Sequence, residues 1–450
     1  MSKPVHFRID SDRDSWKTLI QQTLDKAKAQ GATQAEVGLS VGKGLSVTVR
    51  LGEIETVEFH QDRSFGITVY CGQKKGSASS NDLSAASIEQ ALSAALRIAR
   101  YAESDPCAGL ADKADLATDI PDLDLYHPEV LTPEQVSAWA KECEEAARNA
   151  DKRICNSEGA SFGQSEYYRL YGNTNGFLAG CPTSSYSLSC AIVAKDDQGG
   201  MQRDHDYTLS RVLQDLNKPA TVGLEAARKA VRRLLPQKIA TGRFPVVFAS
   251  EIASGLFSSF ASAISGGSLY RHASFLIDKI HHQIFPEWLS IQERPHILRS
   301  LGSAPFDNEG VATVNRDIVK AGILETYLLS SYSARKLGLK TTGHAGGIHN
   351  WFVSQTCPDL AAVLKMMDKG LYITELMGFG VNGVTGDYSQ GISGFWVENG
   401  QIQYPIQEVT IAGNLADMFK HIVAIGGDVD KRRNIQTGSV LIESMTVAGV

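Results

Sequence analysis

The sequence predicts an α+β protein, with antiparallel sheets and packed helices in its N-terminal half and a strand-rich C-terminal half that forms a curved sheet or partial barrel. Three observations carry this. Residues 13–102 read as helix, meander, helix; residues 133–235 follow the same order without a sequence repeat; from Phe244 onward the chain becomes glycine-punctuated and rich in short β runs. The main boundary falls near residue 236, giving an N-terminal domain of residues 1–235 in two units and a C-terminal domain of residues 236–450.

Residues 13–30 alternate apolar and charged positions at helical spacing and stop before Gly31, which suits the residue after a helix end. Ser46-Val47-Thr48-Val49-Arg50, Thr56-Val57-Glu58-Phe59 and Gly66-Ile67-Thr68-Val69-Tyr70 are β-rich runs, separated by turn residues at Gly42-Lys43-Gly44 and Gly72-Gln73-Lys74-Lys75-Gly76. Ser84 to Ala102 is an alanine-rich amphipathic helix. Asp105 to Pro133 holds four prolines and many aspartates, so residues of about 103–133 read as an extended surface linker. Pro133 to Asn149 is helical, and Ser161 to Thr208 is a set of strands broken by the turn-forming run Gly172-Asn173-Thr174-Asn175-Gly176. Pro219 opens a basic amphipathic helix that stops before Pro236, and its Arg228, Lys229, Arg232 and Arg233 read as a solvated face. In the C-terminal half, Phe244-Pro245-Val246-Val247-Phe248 reads as a buried strand, and short helices are expected at residues 250–264 and 415–425.

The helix at 250–264 is the most informative element, with Ser250 as its expected N-cap and Glu251 in its first turn. In context, Ser250-Glu251-Ile252-Ala253-Ser254-Gly255 resembles a His-Glu-x-x-x-His metalloprotease helix from which the ligands are missing. The resemblance is to the TldD/PmbA family and is strongest on its PmbA (TldE) branch, the partner subunits. It runs along nearly the whole chain, through Phe65-Gly66-Ile67-Thr68-Val69-Tyr70, Asp105-Pro106-Cys107-Ala108-Gly109, Ser331-Tyr332-Ser333-Ala334-Arg335-Lys336-Leu337-Gly338, Gly343-His344-Ala345-Gly346-Gly347-Ile348-His349-Asn350-Trp351, Gly386-Asp387-Tyr388-Ser389 and Gly394-Phe395-Trp396-Val397.

A hydrolytic zinc takes about three protein ligands and keeps one position open for water. Ser250 and Gly255 stand at two ligand positions of the resembled motif and supply none; the family's third ligand is a cysteine near the C-terminus, whereas the last cysteine here is Cys357. None of the eleven histidines precedes a glutamate, so the motif has not moved elsewhere. Glu251 occupies the position of the family's general base, and without a metal it reads equally as a first-turn carboxylate favoured by the helix dipole. The resemblance therefore implies a metal-free, catalytically inactive partner that forms a heterodimer with a TldD-like subunit carrying zinc. It implies cytoplasmic peptidase work on short or unfolded peptides, with microcin maturation, antitoxin turnover and a genetic link to a carbon storage regulator among the family's roles. Alone, such a subunit is expected to pair with itself.

Composition fits this expectation. The 44 basic and 50 acidic residues give a net charge of -6, which argues against a general nucleic-acid surface. No apolar run approaches the roughly 18 residues that span a bilayer, and Met1-Ser2-Lys3-Pro4-Val5-His6 lacks a signal-peptide core. Seven cysteines without a C-x-x-C indicate neither a disulfide framework nor a zinc ribbon, and are expected to be reduced and mostly buried.

Two further constellations bear on chemistry. Ser333-Ala334-Arg335-Lys336 has serine-lysine spacing, and Lys340-Thr341-Thr342-Gly343 faintly matches the lysine-threonine-glycine strand of penicillin-recognising hydrolases, but their adjacency in sequence defeats that match. A hydrolase with its own serine-lysine or divergent metal site is the alternative function. His344, His349 and Asn350 flank Gly346-Gly347 and are candidates for peptide contact, or for a metal that needs a third ligand from Cys357, Asp387 or His421; the blander reading is a tight turn whose histidines bond to nearby backbone.

Overall fold

A computed structural model describes residues 9–378 and 380–449, so the N-terminal hexapeptide read above lies outside the described residues. The chain opens with α1 (Ile9–Ala29), β1 (Gln34–Arg50), β2 (Glu53–Cys71), β3 (Lys74–Ser80) and α2 (Ala85–Tyr101). It continues through α3 (Pro133–Asn149), β4 (Ile154–Asn173), β5 (Leu178–Lys195), β6 (Met201–Ser210) and α4 (Pro219–Arg232). The six strands form one antiparallel sheet in the order β3-β2-β1-β4-β5-β6, because β1 pairs with β4 across the two expected units.

Alternate residues of β1 are buried in two stretches, Val37, Leu39 and Val41, then Leu45, Val47 and Val49, with half-exposed Lys43 between them, so one face of the sheet is apolar on either side of its middle. Two helix pairs cover it. Helices α1 and α2 pack over one end with Leu24, Leu92 and Leu96, and α3 and α4 over the other with Val136, Cys143, Val222 and Ala226. Gly42-Lys43-Gly44 is not a turn but the middle of β1. A Cβ on Gly44 would lie 2.5 Å from the Gln164 carbonyl and 2.2 Å from the His60 ring, so glycine permits close strand approach here instead of breaking the strand. Ser84 caps α2, and Thr132 with Gln135 forms a capping box on α3, matching the expected starts of both helices.

The stretch read as a surface linker is held on both sides. Leu110, Ala111, Leu116, Leu123 and Leu125 are buried, and Leu116 bridges to Val311 in the C-terminal half. Arg335 donates to the carbonyls of Cys107, Gly109 and Leu110, satisfying backbone that has no ladder of its own.

The C-terminal half comprises β7 (Gly242–Phe248), α5 (Ser250–Ala263), α6 (Gly266–Tyr270), β8 (Ile291–Glu293), β9 (Arg316–Lys320), β10 (Ile323–Leu324), α7 (Ser331–Leu337) and β11 (Trp351–Val353). After these come α8 (Leu360–Met367), β12 (Gly370–Met377), β13 (Asp387–Glu398), β14 (Gln401–Asn414), α9 (Leu415–Lys420), β15 (Ile422–Ile425), β16 (Ile435–Gln436) and β17 (Val440–Ala448). The expected curved sheet closes completely: β14-β13-β12-β7-β17 run in order and β14 pairs back to β17, making a five-stranded barrel that leaves no free edge between them. A smaller sheet, β10-β9-β8-β11-β16, lies beside it. The helix expected over 415–425 ends at Lys420, since Ile422, Ala424 and Ile425 are buried and pair as β15 with β17.

Helix α5 belongs to the core of this half. Its Phe260 ring lies 5.0 Å from Phe285, 5.8 Å from Phe419 and 6.1 Å from Trp351, and Ala253, Leu256 and Phe257 are buried beside it. Burying a large apolar side chain stabilises by about 1.5–3 kcal/mol, so several such groups fix the helix firmly. The first turn is thereby presented towards helix α4 of the N-terminal half, where Glu251 meets Lys229.

Candidate functional site

Ser250 is the first residue of α5, whose N-cap is Ala249 without a side-chain cap; the expected Ser250 cap is corrected because β7 delivers the chain directly, with the Ala249 N–H bonded to the Ile373 carbonyl 2.9 Å away. Gly255 lies one turn on, exposed, with no heavy atom within 4 Å of where a Cβ would be. Neither position brings a donor that zinc favours. Cys357 is buried in the apolar cluster around Val363, Leu364 and Phe395 on the α8 side of the barrel. Among the described residues, no group of three His, Cys, Asp or Glu side chains is placed to hold a metal ion. The donor set does not fit the metal of the resembled motif.

What surrounds Glu251 is a network of charges. Lys229 Nζ lies 2.6 Å from Glu251 Oε1 and 3.0 Å from Asp206 Oδ1. Arg432 reaches Glu251 at 3.3 Å, Asp206 at 3.2 Å and Asp430 at 2.8 Å, with its guanidinium 4.3 Å from the Tyr207 ring centre. Burial would push the Glu251 carboxyl up, yet the charges and hydrogen bonds of Lys229 and Arg432 hold it below its ordinary value. Burial alone would lower Lys229, and Glu251 and Asp206 outweigh it to raise the ammonium above its usual value. A carboxylate pinned between two cations is a poor proton acceptor, because taking a proton would forfeit both pairs.

The basic face of α4 is therefore not a solvated face. Lys229 is buried at an apolar-stripe position beside Ala226 and Ala230; Arg233 is mostly covered and pairs with Asp204 and Glu375; the Arg232 guanidinium lies 4.8 Å from the Phe395 ring centre. Only Arg228 keeps an outward ion pair, with Glu225. These groups join the N-terminal sheet to the barrel, so α4 is an internal seam of the molecule.

The second cluster is organised by Glu293, which the sequence did not single out. Glu293 Oε2 lies 2.8 Å from His344 Nε2, while Oε1 accepts the His349 backbone N–H and the Trp351 indole N–H, each at 3.0 Å. Burial would raise this carboxyl, but the hydrogen bond and charge of His344, with His349, hold it down at about 2. His344 is fully covered, and its other nitrogen lies 2.9 Å from Thr342 Oγ1. Asn350 is fully buried: its Oδ1 accepts from Ser300 and Gly302, and its Nδ2 donates to the Arg294 carbonyl and Ser303. His344 and Asn350 thus spend their polar groups inside the fold, which differs from the expected peptide contact. His349 does bond to backbone, 3.3 Å from the Gly343 carbonyl, and burial lowers its pKa. The candidate third ligands lie in other settings, with Asp387 bonded to Thr385 and Asn414, and His421 to the Asp417 carbonyl.

The serine-lysine pair does not assemble. Ser333 Oγ forms a capping box with Ser330, and Lys336 Nζ reaches 3.0 Å to Asp105 on the surface. That hydrogen bond raises the lysine, the reverse of what a neutral general base requires.

Beside the first turns of α5 lies a cleft of about 590 Å³, walled by Arg169 and Cys181 of the N-terminal sheet, by Ser254 and Ser258 of α5, and by segments 301–308, 345–349 and 432–435. It is built between the two halves of the chain. Gly346 and Gly347, at φ 108° and 119°, present backbone to it, and Gly347 has open space where a side chain would stand.

The site thus sits in a two-part scaffold of one antiparallel sheet and a closed five-stranded barrel, in which the α5 positions Ser250 and Gly255 carry no zinc-favouring side chain. Three consecutive stretches match the PmbA/TldA metallopeptidase profiles: domain 1 over residues 35–99, the central domain over 126–234 and the C-terminal domain over 241–449. The chain belongs to the PmbA/TldD metallopeptidase family, on its PmbA side. It is 50% identical over 449 residues to metalloprotease PmbA of Escherichia coli O157:H7, covering 100% of this chain and 99% of the other. A TldD homolog of Buchnera aphidicola is 23% identical over 434 residues, 88% of each chain. A structure from Bacteroides thetaiotaomicron superposes with TM-score 0.92 at 29% identity, covering 97% of this chain and 99% of its own. Among the described residues no helix is long and apolar enough to cross a membrane.

Proposed function

We propose that this chain is the metal-free TldE-type subunit of a cytoplasmic two-subunit metallopeptidase, and that it acts by assembling with a TldD-like, zinc-bearing partner that cleaves short or unfolded peptides. Peptide maturation of the microcin kind and turnover of antitoxins are the substrate classes this reading admits. The observation that carries it is the first turn of α5: Ser250 and Gly255 bring no zinc-favouring donors, and the would-be base Glu251 is occupied by Lys229 and Arg432. A subunit without chemistry of its own contributes wall, contacts and stability. The partner surface is assigned to the C-terminal half, and without the partner the same surface pairs two copies of this chain.

The purified chain is expected to carry no stoichiometric zinc, to run as a homodimer in light scattering, and to cleave no unfolded peptide. Mixed with a TldD-like subunit, it is expected to exchange into a heterodimer with chelator-sensitive peptidase activity. Two unchanged species in the mixture, or zinc-dependent cleavage by the chain alone, would sink the reading.

Glu251→Gln tests the site more sharply. With no metal-bound water to deprotonate, the substitution should leave turnover of the mixed complex within about twofold of wild type, against the 10²–10⁴-fold that a general base contributes. A loss of that larger size, with assembly intact, would make Glu251 catalytic.

A further inference from the structure

The cleft beside α5 has a charge balance unlike the rest of the chain. The protein carries a net charge of -6, yet the side chains lining this cleft include Arg169, Arg432 and Arg433 against one carboxylate, Asp307. That carboxylate is turned into its own loop. Asp307 Oδ1 accepts the N–H groups of Glu309 and Val311 at 2.8 and 2.9 Å, and Oδ2 accepts that of Ala345 at 3.0 Å; burial pushes its pKa up to about 6.

The three arginines differ in what they have left to give. Arg432 is used by Asp430, Asp206 and Glu251. Arg433 has only a loose contact, 3.6 Å to Asp430, and is about half exposed. Arg169 bonds to Asn308 Oδ1 and to the Phe306 carbonyl, and its guanidinium lies 5.3 Å from the Phe306 ring centre. Among the described residues it has no carboxylate within ion-pair distance, and burial lowers its pKa. Behind the same wall Arg211 is in a similar state, donating to the carbonyls of Ser184 and Leu301. A half-buried guanidinium held only by neutral acceptors keeps a partly desolvated, unbalanced charge, and an anion entering the cleft would relieve it.

The rest of the cleft fits a chain end. Leu209, Phe306 and Ile348 give it an apolar lining, and the bare backbone at Gly347, with no heavy atom within 4 Å of a would-be Cβ, allows close approach of another main chain, while the space beside Gly346 is taken by Asn308. We propose that this cleft binds the C-terminal carboxylate of an unfolded peptide, with Arg169 and Arg433 pairing to the carboxylate and the last side chain resting against the apolar lining. The metal-free subunit would then hold a peptide's end. This deepens the partner-subunit reading and rests on it for the choice of a peptide.

The test uses the full chain alone and a short peptide ending in leucine, labelled at its N-terminus and followed by fluorescence anisotropy. The free-acid peptide is expected to bind at least about tenfold more tightly than its C-terminal amide, a difference of about 1.4 kcal/mol. Arg169→Gln and Arg433→Gln should each remove most of that difference while leaving the amide's weak binding unchanged. Arg433 is half exposed and joined to little else, so its variant reports on the site even if Arg169→Gln disturbs folding, which near-UV circular dichroism checks. An amidated peptide carrying an internal glutamate should bind like the neutral amide.

Equal binding of acid and amide, or full retention of the preference in Arg433→Gln with Arg169→Gln folded and unchanged, overturns the proposal. So does inorganic phosphate binding at the same arginines while the free-acid peptide does not, which would mark a general oxyanion site. An active heterodimer with no acid preference refutes the cleft and leaves the partner reading standing; an acid preference without any heterodimer does the reverse.

Discussion

Lys229→Met is expected to destabilise the protein by about 3 kcal/mol, at the lower end of the range of about 3–5 for removing one partner of a buried ion pair. The lysine and Asp206 side chains are each only 9% exposed, and Lys229 is shared between Asp206 on β6 and Glu251 on α5. Methionine matches the stem but leaves two carboxylates facing Arg432 alone. Because Arg432 still reaches both, the cost stays below that of a fully orphaned charge. The pH dependence has a defined sign. The raised pKa of Lys229 gives stability that is complete below its unfolded value near 10.5 and lost as pH rises through the higher folded value. The lowered pKa of Glu251 gives stability that is present above its unfolded value of 4.5 and lost as pH falls through the folded one. The variant should therefore lose the alkaline limb attributable to Lys229, and lose part of the acid limb with it. Urea unfolding at pH 7, with hydrogen exchange across α4 and β6, measures the effect; a change under about 1 kcal/mol would mean that the seam is held by packing alone.

That lysine also shows what the sequence made legible. Helix α4 is legible from Pro219 to the region before Pro236, whereas Lys229, which reads with its basic neighbours as a solvated face, falls on the stripe of Val222, Ala226 and Ala230 that faces the sheet. A lysine on an apolar stripe signals either a bend in the stripe or a buried partner. Its partners lie 23 residues back and 22 residues on in sequence: α4 packing on β6 brings Asp206, and the docking of the C-terminal half against α4 brings Glu251. Barrel closure was hidden for a related reason: β14 meets β17 through three residue pairs, Thr410–Ala448, Ile411–Val447 and Ala412–Thr446, and no local periodicity encodes such a long-range pairing. The missing ligands of α5 were legible outright, because they are a matter of residue identity and not of packing.

Glu293 was the reverse case. The three-residue strand Ile291-Gln292-Glu293 gives no periodicity worth reading, and glutamate is rarely buried unless paired. It is inside because β8 pairs antiparallel with β11 in a register that sets Glu293 opposite Trp351. The histidines and the tryptophan next to them were quoted from the sequence; the carboxylate that organises them was not.

Glu293→Leu is accordingly expected to cost about 3–5 kcal/mol, the second of the two largest effects. Leucine removes the acceptor of the His349 and Trp351 N–H groups and the partner of His344 in one step, and leaves buried donors without a bond. Glu293→Gln should be milder, because its carbonyl oxygen can still accept from the His349 backbone and the Trp351 indole while the contact to His344 and the looser pair with Arg316, 3.8 Å away, change character. The wild-type carboxyl, held at about 2, contributes stability that is fully present above the unfolded value of 4.5 and is lost as pH falls from there towards 2. His349, lowered by burial, adds a loss that begins as pH falls below 6.5. Stability of the wild type should thus fall in two stages on acidification, and Glu293→Gln should flatten the second stage while keeping the first. Tryptophan fluorescence during urea unfolding at pH 7, 5 and 3 separates the two. If Glu293→Gln follows the wild type through the lower stage, the carboxyl is protonated near its ordinary value and the histidine cluster is held by packing around Trp351 instead of by charge.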